Sequence, residues 1–263
     1  MNIIEAKNIN YTLGTKLLFK NINISIEKGS FVSFIGENGV GKTTLLRLLS
    51  GSIFNSNNNI KMDGIQINKY NIEEVMRKTA FITTDNEFFS KTVMNEILQD
   101  KNNVSIYDTN EVRNLLDDFG LLYLESFPPQ KLSYAENQIV ALIKAIVNKP
   151  KIIFLDNAFS KLDNDKREEL LDYLCKYSKE NDITLIGTTN SILDLKHFNR
   201  IIILKNHGIS FDGSYDELIE NVDLLKEGFK IPWELEVSNK LMLYDLIDKE
   251  FDSIDEIVGG LCN

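Results

Sequence analysis

A glycine-rich octapeptide near the N-terminus has the residue types and the spacing of a phosphate-binding loop. The stretch GENGVGKT, residues 36–43, follows the apolar run FVSFI and precedes TLLRLLS, which has helical spacing. Glycines let successive backbone N–H groups converge on phosphate oxygens, and the positive end of the following helix adds to their effect. The lysine of such a loop reaches the terminal phosphates, and the threonine hydroxyl completes a Mg²⁺ site. The candidate phosphate-binding residues are Gly36, Asn38, Gly39, Gly41, Lys42, Thr43 and Thr44.

A second stretch, FLDNAF at residues 154–159, ends an apolar run with one acid. Asp156 there is followed by Asn157, an amide that can orient a water molecule through its carbonyl oxygen but cannot accept a proton from it. A general base is typically worth about 10²- to 10⁴-fold in rate. The two stretches together resemble a metal-phosphate site from which the base has been left out.

The segments around these stretches must position them. Short β-branched runs alternate with stretches of helical apolar spacing such as 111–119 and 165–177, which predicts an α/β core with parallel strands. The first 30 residues instead predict paired antiparallel strands, and residues 92–123 predict two helices. The SNNN run at 56–59 predicts a loop. The predicted strands are 22–26, 31–35, 80–83, 152–155, 184–187 and 201–204.

Composition bounds the class of protein. The chain has 263 residues, of which 43% are hydrophobic and 26% charged, enough for a sizeable core in one or two domains. No apolar run reaches the roughly 18 residues that a membrane helix needs, and the start lacks a secretory signal, so we expect a cytoplasmic chain. Cys175 and Cys262 are isolated, which supports neither a disulfide framework nor a zinc site.

The charge of the chain is concentrated at its C-terminal end. Residues 209–263 contain 14 acids and 4 bases and account for the whole net charge of −10. Because nucleic acid and anionic lipid are polyanions, this tail argues against either as its direct partner. We expect residues 226–263 to form an acidic helical appendage, either as a solvated helical face or packed on the rest of the chain or on a second copy.

A third stretch makes the resemblance to a known family specific. The segment LSYAENQIVALIKAIVNKPKIIFLD, residues 132–156, places a serine-led helix start, an apolar helix and the strand that ends in Asp156 in order. Over residues 2–225 the chain resembles an ATP-binding cassette (ABC) ATPase. The resemblance implies an α/β P-loop NTPase core with a mainly parallel sheet, an N-terminal antiparallel β subdomain and a helical insert at about 86–148. It makes residues 1–225 the cassette.

The resemblance also implies roles for individual residues. Tyr11 matches the aromatic that stacks on adenine, although a tyrosine in a strand can equally serve packing. Asp156 matches the acid that holds Mg²⁺ through water. Ser133 and Glu136 belong to the signature LSYAE, which faces the ATP of a partner cassette. The segment SKLD, residues 160–163, resembles the loop that crosses the dimer interface.

Several positions depart from the family pattern near the γ-phosphate. Asn157 stands where the family has a glutamate, Asn190 where it has a histidine, and Thr84 where it has a glutamine, so these are degenerate catalytic positions. Tyr134 replaces a signature glycine, and its side chain could obstruct the partner's γ-phosphate. We expect slow hydrolysis at this site; the alternative is that the residue at position 157 has drifted in a chain that works by another route. His197, further along, is expected to be a surface residue.

The partners follow from the family mechanism. Two cassettes sandwich two ATP molecules, and the closing of the sandwich pushes on membrane-spanning permease subunits, here through residues 84–98. A homodimer would contain two weakened sites, so we favour pairing with a second, more typical cassette. The expected location is peripheral, on the inner face of the cell membrane, and export of peptide or drug-like cargo is favoured over import.

Two other function classes are weighed. A P-loop kinase or GTPase would need a second substrate lobe or the guanine-reading NKxD, and neither string is present. A non-transport ABC ATPase, acting as a regulatory or ribosome- or DNA-associated protein, usually has two cassettes in one chain or a long coiled-coil insertion. The single compact cassette favours transport, with no nucleic acid as partner.

Overall fold

The computed structural model describes residues 1–54, 59–98 and 108–220, together with the single positions 237 and 241. The strands are β1 (Asn2–Leu13), β2 (Lys16–Glu27), β3 (Phe31–Ile35), β4 (Asn59–Met62), β5 (Ile65–Gln66), β6 (Thr79–Thr83), β7 (Ile152–Asp156), β8 (Thr184–Thr188), β9 (Arg200–Lys205) and β10 (Gly208–Gly213). The helices are α1 (Lys42–Leu49), α2 (Ile72–Arg77), α3 (Val93–Leu98), α4 (Thr109–Asp118), α5 (Tyr134–Val147), α6 (Asn164–Glu180) and α7 (Tyr215–Ile219), with 3-10 turns at Leu122–Leu124, Pro129–Lys131 and Leu193–His197.

A six-stranded sheet forms the centre of the molecule. Its strand order is β10-β9-β3-β8-β7-β6, and every neighbouring pair is parallel except β10 with β9. Strand β7 alternates its side chains between two cores: Ile152 and Phe154 face one, and Ile153 and Leu155 face the other. Helical packing on both faces is what a parallel sheet requires, so the predicted α/β class is confirmed.

The first 27 residues form the long hairpin that the sequence predicts. Strands β1 and β2 pair antiparallel and join β4 and β5 in a second, four-stranded sheet. Two asparagines with left-handed backbone, Asn8 and Asn21, both at φ 53°, mark irregularities in the pairing. The Asn8 N–H donates to Asn23 Oδ1 and the Asn21 N–H donates to Asn10 Oδ1, each at 2.9 Å. The side-chain oxygens of Asn10 and Asn23 thereby accept hydrogen bonds from backbone N–H groups where the ladder is irregular.

Helix α1 lies in the core between the two sheets. Its four leucines at positions 45, 46, 48 and 49 are buried, and they pack with the inward side chains of the hairpin and with one face of the central sheet. The second core, on the other face of the central sheet, contains residues of α3, α4, α5 and α6. The predicted helical insert subdomain is therefore present among the described residues. Of the predicted loop at 56–59, residues 56–58 lie outside the described residues, and Asn59 begins β4, where it pairs with Lys7.

The described helices do not include one long and apolar enough to cross a bilayer. The predicted acidic appendage, residues 226–263, lies outside the described residues apart from the two single positions.

Candidate functional site

The phosphate-binding loop connects β3 to α1 as the spacing predicts. Gly36 has φ 144°, and a Cβ atom there would lie 2.5 Å from the Leu204 carbonyl oxygen. Gly41 has φ 113°, and a Cβ atom there would lie 2.7 Å from the ring of Phe19. These glycines are required by backbone conformation and by close approach together. The backbone can therefore curl ahead of α1, which begins at Lys42 and has no side-chain cap on its first N–H groups.

Lys42 folds back over the loop from which it arises. Its ammonium group donates to the carbonyl oxygens of Gly36 at 2.5 Å and Glu37 at 3.2 Å. Burial lowers the pKa of Lys42, and the nearby Asp156 carboxylate opposes that shift. The ammonium group thus sits over the concave backbone where an anion would be held.

Asp156 is the acceptor at the centre of the site. Its Oδ1 accepts hydrogen bonds from the Thr43 hydroxyl at 2.9 Å and from the Thr188 hydroxyl at 3.0 Å. Strands β7 and β8 pair in register with Asp156 opposite Thr188, which explains why these side chains meet. The sequence motifs predict Thr43 and Asp156 at one site, but Thr188 belongs to none of these motifs. The signal was present, because Thr188 is the last residue of a parallel strand neighbouring β7.

Asn157 is held by its backbone rather than by its side chain. Its N–H donates to both oxygens of Thr188, at 2.9 Å to the hydroxyl and 3.1 Å to the carbonyl. Its φ of 50° is left-handed, a conformation that asparagine tolerates better than most residues. The Thr84 hydroxyl donates to the Asn157 carbonyl at 2.8 Å, and the Thr84 carbonyl accepts from the buried Gln138 amide at 2.7 Å. Thr84 and Gln138, the second of which the sequence analysis did not single out, therefore fix the backbone of Asn157.

The signature residues Ser133 and Glu136 satisfy each other at the start of α5. The Ser133 hydroxyl accepts from the Glu136 N–H at 3.4 Å, and a Glu136 carboxylate oxygen accepts from the Ser133 N–H at 2.7 Å. This reciprocal arrangement is a capping box. The hydrogen bonds from Ser133 lower the pKa of Glu136, and the Tyr123 hydroxyl donates to the other carboxylate oxygen at 3.0 Å. Ser133 itself is exposed, so its side chain remains accessible from outside the chain.

Tyr134 is half-buried and makes contacts within its own chain. Its ring lies 5.5 Å from the Lys161 ammonium group, which also bonds to Asp85 at 2.6 Å. Burial raises the pKa of the Tyr134 hydroxyl. The residue in place of the signature glycine thus packs against the segment that follows β7, within its own chain.

Asn190 is exposed in the loop after β8, and the neighbours of that loop fix it. The Thr189 hydroxyl donates to Asp194 at 2.6 Å and accepts from the Ser191 N–H at 3.0 Å. Asp194 in turn pairs with Arg167 of α6 at 2.9 Å, and both side chains are almost fully buried. The loop that presents Asn190 is therefore anchored by a buried ion pair.

His197 was expected at the surface, and this is wrong. Its imidazole is only 7% exposed and lies 3.3 Å from Asp172 of α6. Burial lowers the pKa of His197, while the carboxylate opposes the shift. The reason is the 3-10 turn at Leu193–His197, which packs against α6.

Tyr11 lies on β1 opposite Phe19 of β2 and packs partly against the core that includes α1. Phe19 covers Gly41, so the hairpin places Tyr11 beside the phosphate-binding loop. This position permits both contact with a base and packing. The sequence analysis also missed Lys16, whose ammonium group donates to the Gly39 carbonyl at 2.9 Å.

The residues present fit a Mg²⁺ ion held with phosphates. No group of three or more His, Cys, Asp or Glu side chains that could hold a metal occurs in the part of the chain that the structure describes. Mg²⁺, however, is usually bound by one or two protein oxygens together with phosphate oxygens and water. The adjacent Thr43 hydroxyl and Asp156 carboxylate supply that set of protein oxygens.

This chain matches a known family model and is similar in sequence to known proteins. The family model described as ABC transporter matches residues 19–160. The energy-coupling factor transporter ATP-binding protein EcfA1 of Ligilactobacillus salivarius is 31% identical over 271 residues, which cover 99% of this chain and 96% of the relative. A putative ABC transporter ATP-binding protein of Pyrococcus horikoshii is 30% identical over 276 residues, which cover 99% of this chain and 97% of the relative.

A solved structure agrees with these matches in fold. The chain cbiO1 from Clostridium perfringens, described as part of the ABC transporter complex cbiONQ, superposes with a TM-score of 0.76 at 24% identity. The match covers 92% of this chain and 99% of that one. The P-loop, the strand ending in Asp156 and the antiparallel hairpin therefore belong to a shared architecture.

The buried ion pair of Arg167 with Asp194 predicts a large loss of folding free energy when its carboxylate is removed. Asp194→Ala leaves the guanidinium buried without its partner, which typically costs about 3–5 kcal/mol. Asp172→Ala removes a carboxylate that is 68% exposed, so we expect a loss under about 1 kcal/mol. Urea unfolding of the two variants measures both losses. Equal losses would contradict the assignment of Asp194 as the anchor of the loop.

Proposed function

The chain belongs to the ABC transporter family as an ATP-binding subunit, and on this premise we propose that it binds Mg-ATP and, with a second cassette, drives separate membrane-spanning permease subunits. The observation that carries the binding proposal is the hydrogen bond of Thr43 with Asp156 directly below the phosphate-binding loop. It joins the helix that receives the phosphates to the acid that holds the metal. Binding residues in this proposal are those of the loop, with Tyr11 against adenine.

Mg²⁺ bound there would neutralise phosphate charge that builds up as the γ-phosphate is transferred to water. The residues of the chain do the rest. Lys42 supplies a fixed cation to the terminal phosphates once it leaves the loop carbonyls. The Asp156 carboxylate orients the Thr43 hydroxyl. Hydrogen bonds with Thr188 and Thr84 hold the backbone of Asn157, the residue that follows Asp156.

Hydrolysis at this site is proposed to be slow. The Asn157 side chain can orient water but accepts no proton, and the Asn190 amide cannot take up a proton as an imidazole does. Such a site binds ATP and closes without rapid turnover. Pairing with a more typical cassette supplies one fast site per pair, whereas a homodimer has two slow ones, so the heteromeric pair is the assembly that we propose.

The transporter class follows from the relatives. EcfA1 is named for an energy-coupling factor transporter, and the match extends over nearly the full length of both chains. We propose that this chain serves a transporter of that type, with import as the proposed direction. The relatives give no support to the export of peptide or drug-like cargo that the sequence analysis favours. They also make a non-transport role on ribosomes or DNA the weaker candidate.

The surface for the membrane subunits is proposed at the start of the insert, within the 84–98 segment. An open cleft of about 360 Å³ lies there between the loop after β6 and the start of α5. Phe89 at its rim is 83% exposed. The Glu96 carboxylate accepts from the N–H groups of Phe89 and Ser90, at 3.0 and 2.8 Å, and the Gln130 amide donates to the Phe88 and Ser90 carbonyls. The buried Glu96 and the exposed Gln130 thus fix the backbone that presents the Phe89 ring, and an exposed apolar ring suits an apolar partner.

Within this proposal residues 1–225 act as one cassette, and the acidic appendage 226–263 is a helical extension outside it. The proposed location is the cytoplasmic face of a membrane, through the permease subunits.

The binding proposal is tested with Lys42→Ala. Loss of a charge-assisted hydrogen bond of about 1.5–3 kcal/mol should weaken Mg-ATP binding by roughly ten- to a hundredfold. Lys61→Ala, on an exposed strand position, is the matched control and should bind as the wild type does. Titration calorimetry with purified protein measures the affinities. An unchanged Mg-ATP affinity in a folded Lys42→Ala variant would contradict the assignment of this binding site.

The hydrolysis proposal is tested with Asn157→Glu in the assembled complex. A proton acceptor beside intact charge stabilisation should raise phosphate release by roughly tenfold or more. Asn157→Gln lengthens the side chain without adding a base and should not raise it. Lys42→Ala gives the background rate. The proposal is wrong if the wild-type chain alone turns over ATP as fast as an ordinary cassette and Lys42→Ala abolishes that rate.

The partner surface is tested with Phe89→Ser. Losing an exposed aromatic anchor should reduce copurification with membrane subunits several-fold while leaving ATP affinity unchanged. Tyr70→Ser removes a comparable ring, 87% exposed, from a loop outside the insert and serves as the control. Equal recovery of the membrane subunits with both variants counts against this surface.

A further inference from the structure

The β1–β2 hairpin is docked on the phosphate-binding loop by close contacts. Phe19, which is 1% exposed, packs on Gly41 so closely that a side chain there would collide with its ring. Leu18 contributes a second contact, 3.6 Å from the position that a Cβ atom on Gly41 would take. The start of β2 therefore forms one wall of the loop, and the residues just before Leu18 lie beside the space that the loop encloses.

Lys16 is the first residue of β2, and its position is set by a tight turn. Leu13 pairs with Lys16 across a two-residue connection in which Gly14 has φ 60°, as the first residue of a type II′ turn requires. From there the Lys16 ammonium group reaches the carbonyl of Gly39, in the middle of the phosphate-binding loop, at 2.9 Å. An ammonium group has three donors, and this carbonyl takes one of them.

The side chains around the phosphate-binding loop include more acids than the one motif lysine can balance, so a second cation would reduce the negative charge there. Lys42 is the cation of the motif, while Glu37 within the loop and Asp156 below it are both acids. These three side chains together are anionic when charged, and a nucleoside triphosphate adds several negative charges. A cation on the hairpin side would offset this repulsion where Lys42 does not reach.

We propose that Lys16 is a further nucleotide-binding residue, which contacts the phosphate nearest the ribose of a nucleoside di- or triphosphate. The inference rests on the proposed nucleotide function. In a loop of this kind the backbone cradles the α- and β-phosphates, and the motif lysine reaches the β- and γ-phosphates. A nucleotide that extends from Tyr11 to Lys42 passes the hairpin between them. Lys16 stands on that hairpin and already touches the loop, which leaves its remaining donors available to the ribose end of the phosphate chain.

The role proposed for Lys16 differs from that of a residue that only packs the hairpin against the loop. Phe19 and Leu18 make the apolar contacts of docking, whereas Lys16 is exposed and contributes a charge. A contact to the first phosphate is shared by ADP and ATP. A contact to the terminal phosphates, as proposed for Lys42, favours ATP. Comparing ADP with ATP binding therefore distinguishes the contribution of Lys16 from that of Lys42.

The test compares Mg-ATP and Mg-ADP binding, by titration calorimetry, to the wild type and to Lys16→Met, Lys16→Arg, Lys20→Met and Lys42→Ala chains. We expect Lys16→Met to weaken both ligands by the same factor, roughly three- to tenfold, since an exposed charge contact is a modest one. Lys16→Arg should retain the affinity because it keeps the charge. Lys20→Met, exposed on the same strand, should bind as the wild type does. Raising the salt to about 1 M should shrink the effect of Lys16→Met through screening.

Each other outcome is decisive. Unchanged ATP and ADP affinities in Lys16→Met, with a loss in Lys42→Ala, overturn this inference and leave the proposed function standing. Equal losses in Lys16→Met and Lys16→Arg, or a loss that salt does not shrink, assign Lys16 to packing and also overturn it. A wild-type chain that binds neither nucleotide overturns the proposed function itself.

Discussion

The register of the central sheet is the constraint on which the site depends. Asp156 lies opposite Thr83 in the ladder with β6 and opposite Thr188 in the ladder with β8, so three strands end together at one edge. The phosphate-binding loop leaves β3 at the same edge, since β3 pairs with β8. A shift of one residue in any of these ladders would turn Asp156 or Thr188 to the opposite face. The buried, alternating side chains of β7, which fill two separate cores, make such a shift costly.

Around this edge neutral residues are held in place by hydrogen bonds. Asn157 has the left-handed conformation that an asparagine accepts readily, and its N–H and carbonyl are both bonded. The Thr84 hydroxyl donates the bond to the Asn157 carbonyl. The geometry of the site is therefore maintained by hydroxyl and amide hydrogen bonds, while its charged groups are Glu37, Asp156 and the lysines. Binding and bond cleavage make different demands on a site, and the proposal of slow hydrolysis depends on that difference.

The sequence predicts the parts of this structure that depend on local spacing. The alternation of apolar runs gives the parallel sheet, the octapeptide gives the loop between β3 and α1, and paired strands at the start give the hairpin. What it misses depends on contacts between distant segments. Thr188 and Gln138 matter because strand register and helix packing bring them to Asp156 and Thr84, and neither belongs to a motif. His197 was misjudged for the same reason, because its burial arises from a turn folding against α6.

The contact of Phe19 with Gly41 packs the hairpin against the loop, so the proposed nucleotide site has two adjoining halves. A ligand whose two ends meet the two halves loses its translational and rotational freedom once, on the first contact, and the second contact is then made at high effective concentration. Fragments of that ligand, such as a free base or inorganic phosphate, each bear the full entropic cost alone. At the proposed nucleotide site, two halves packed together in this way favour intact nucleotides over their fragments by more than the difference in the number of contacts.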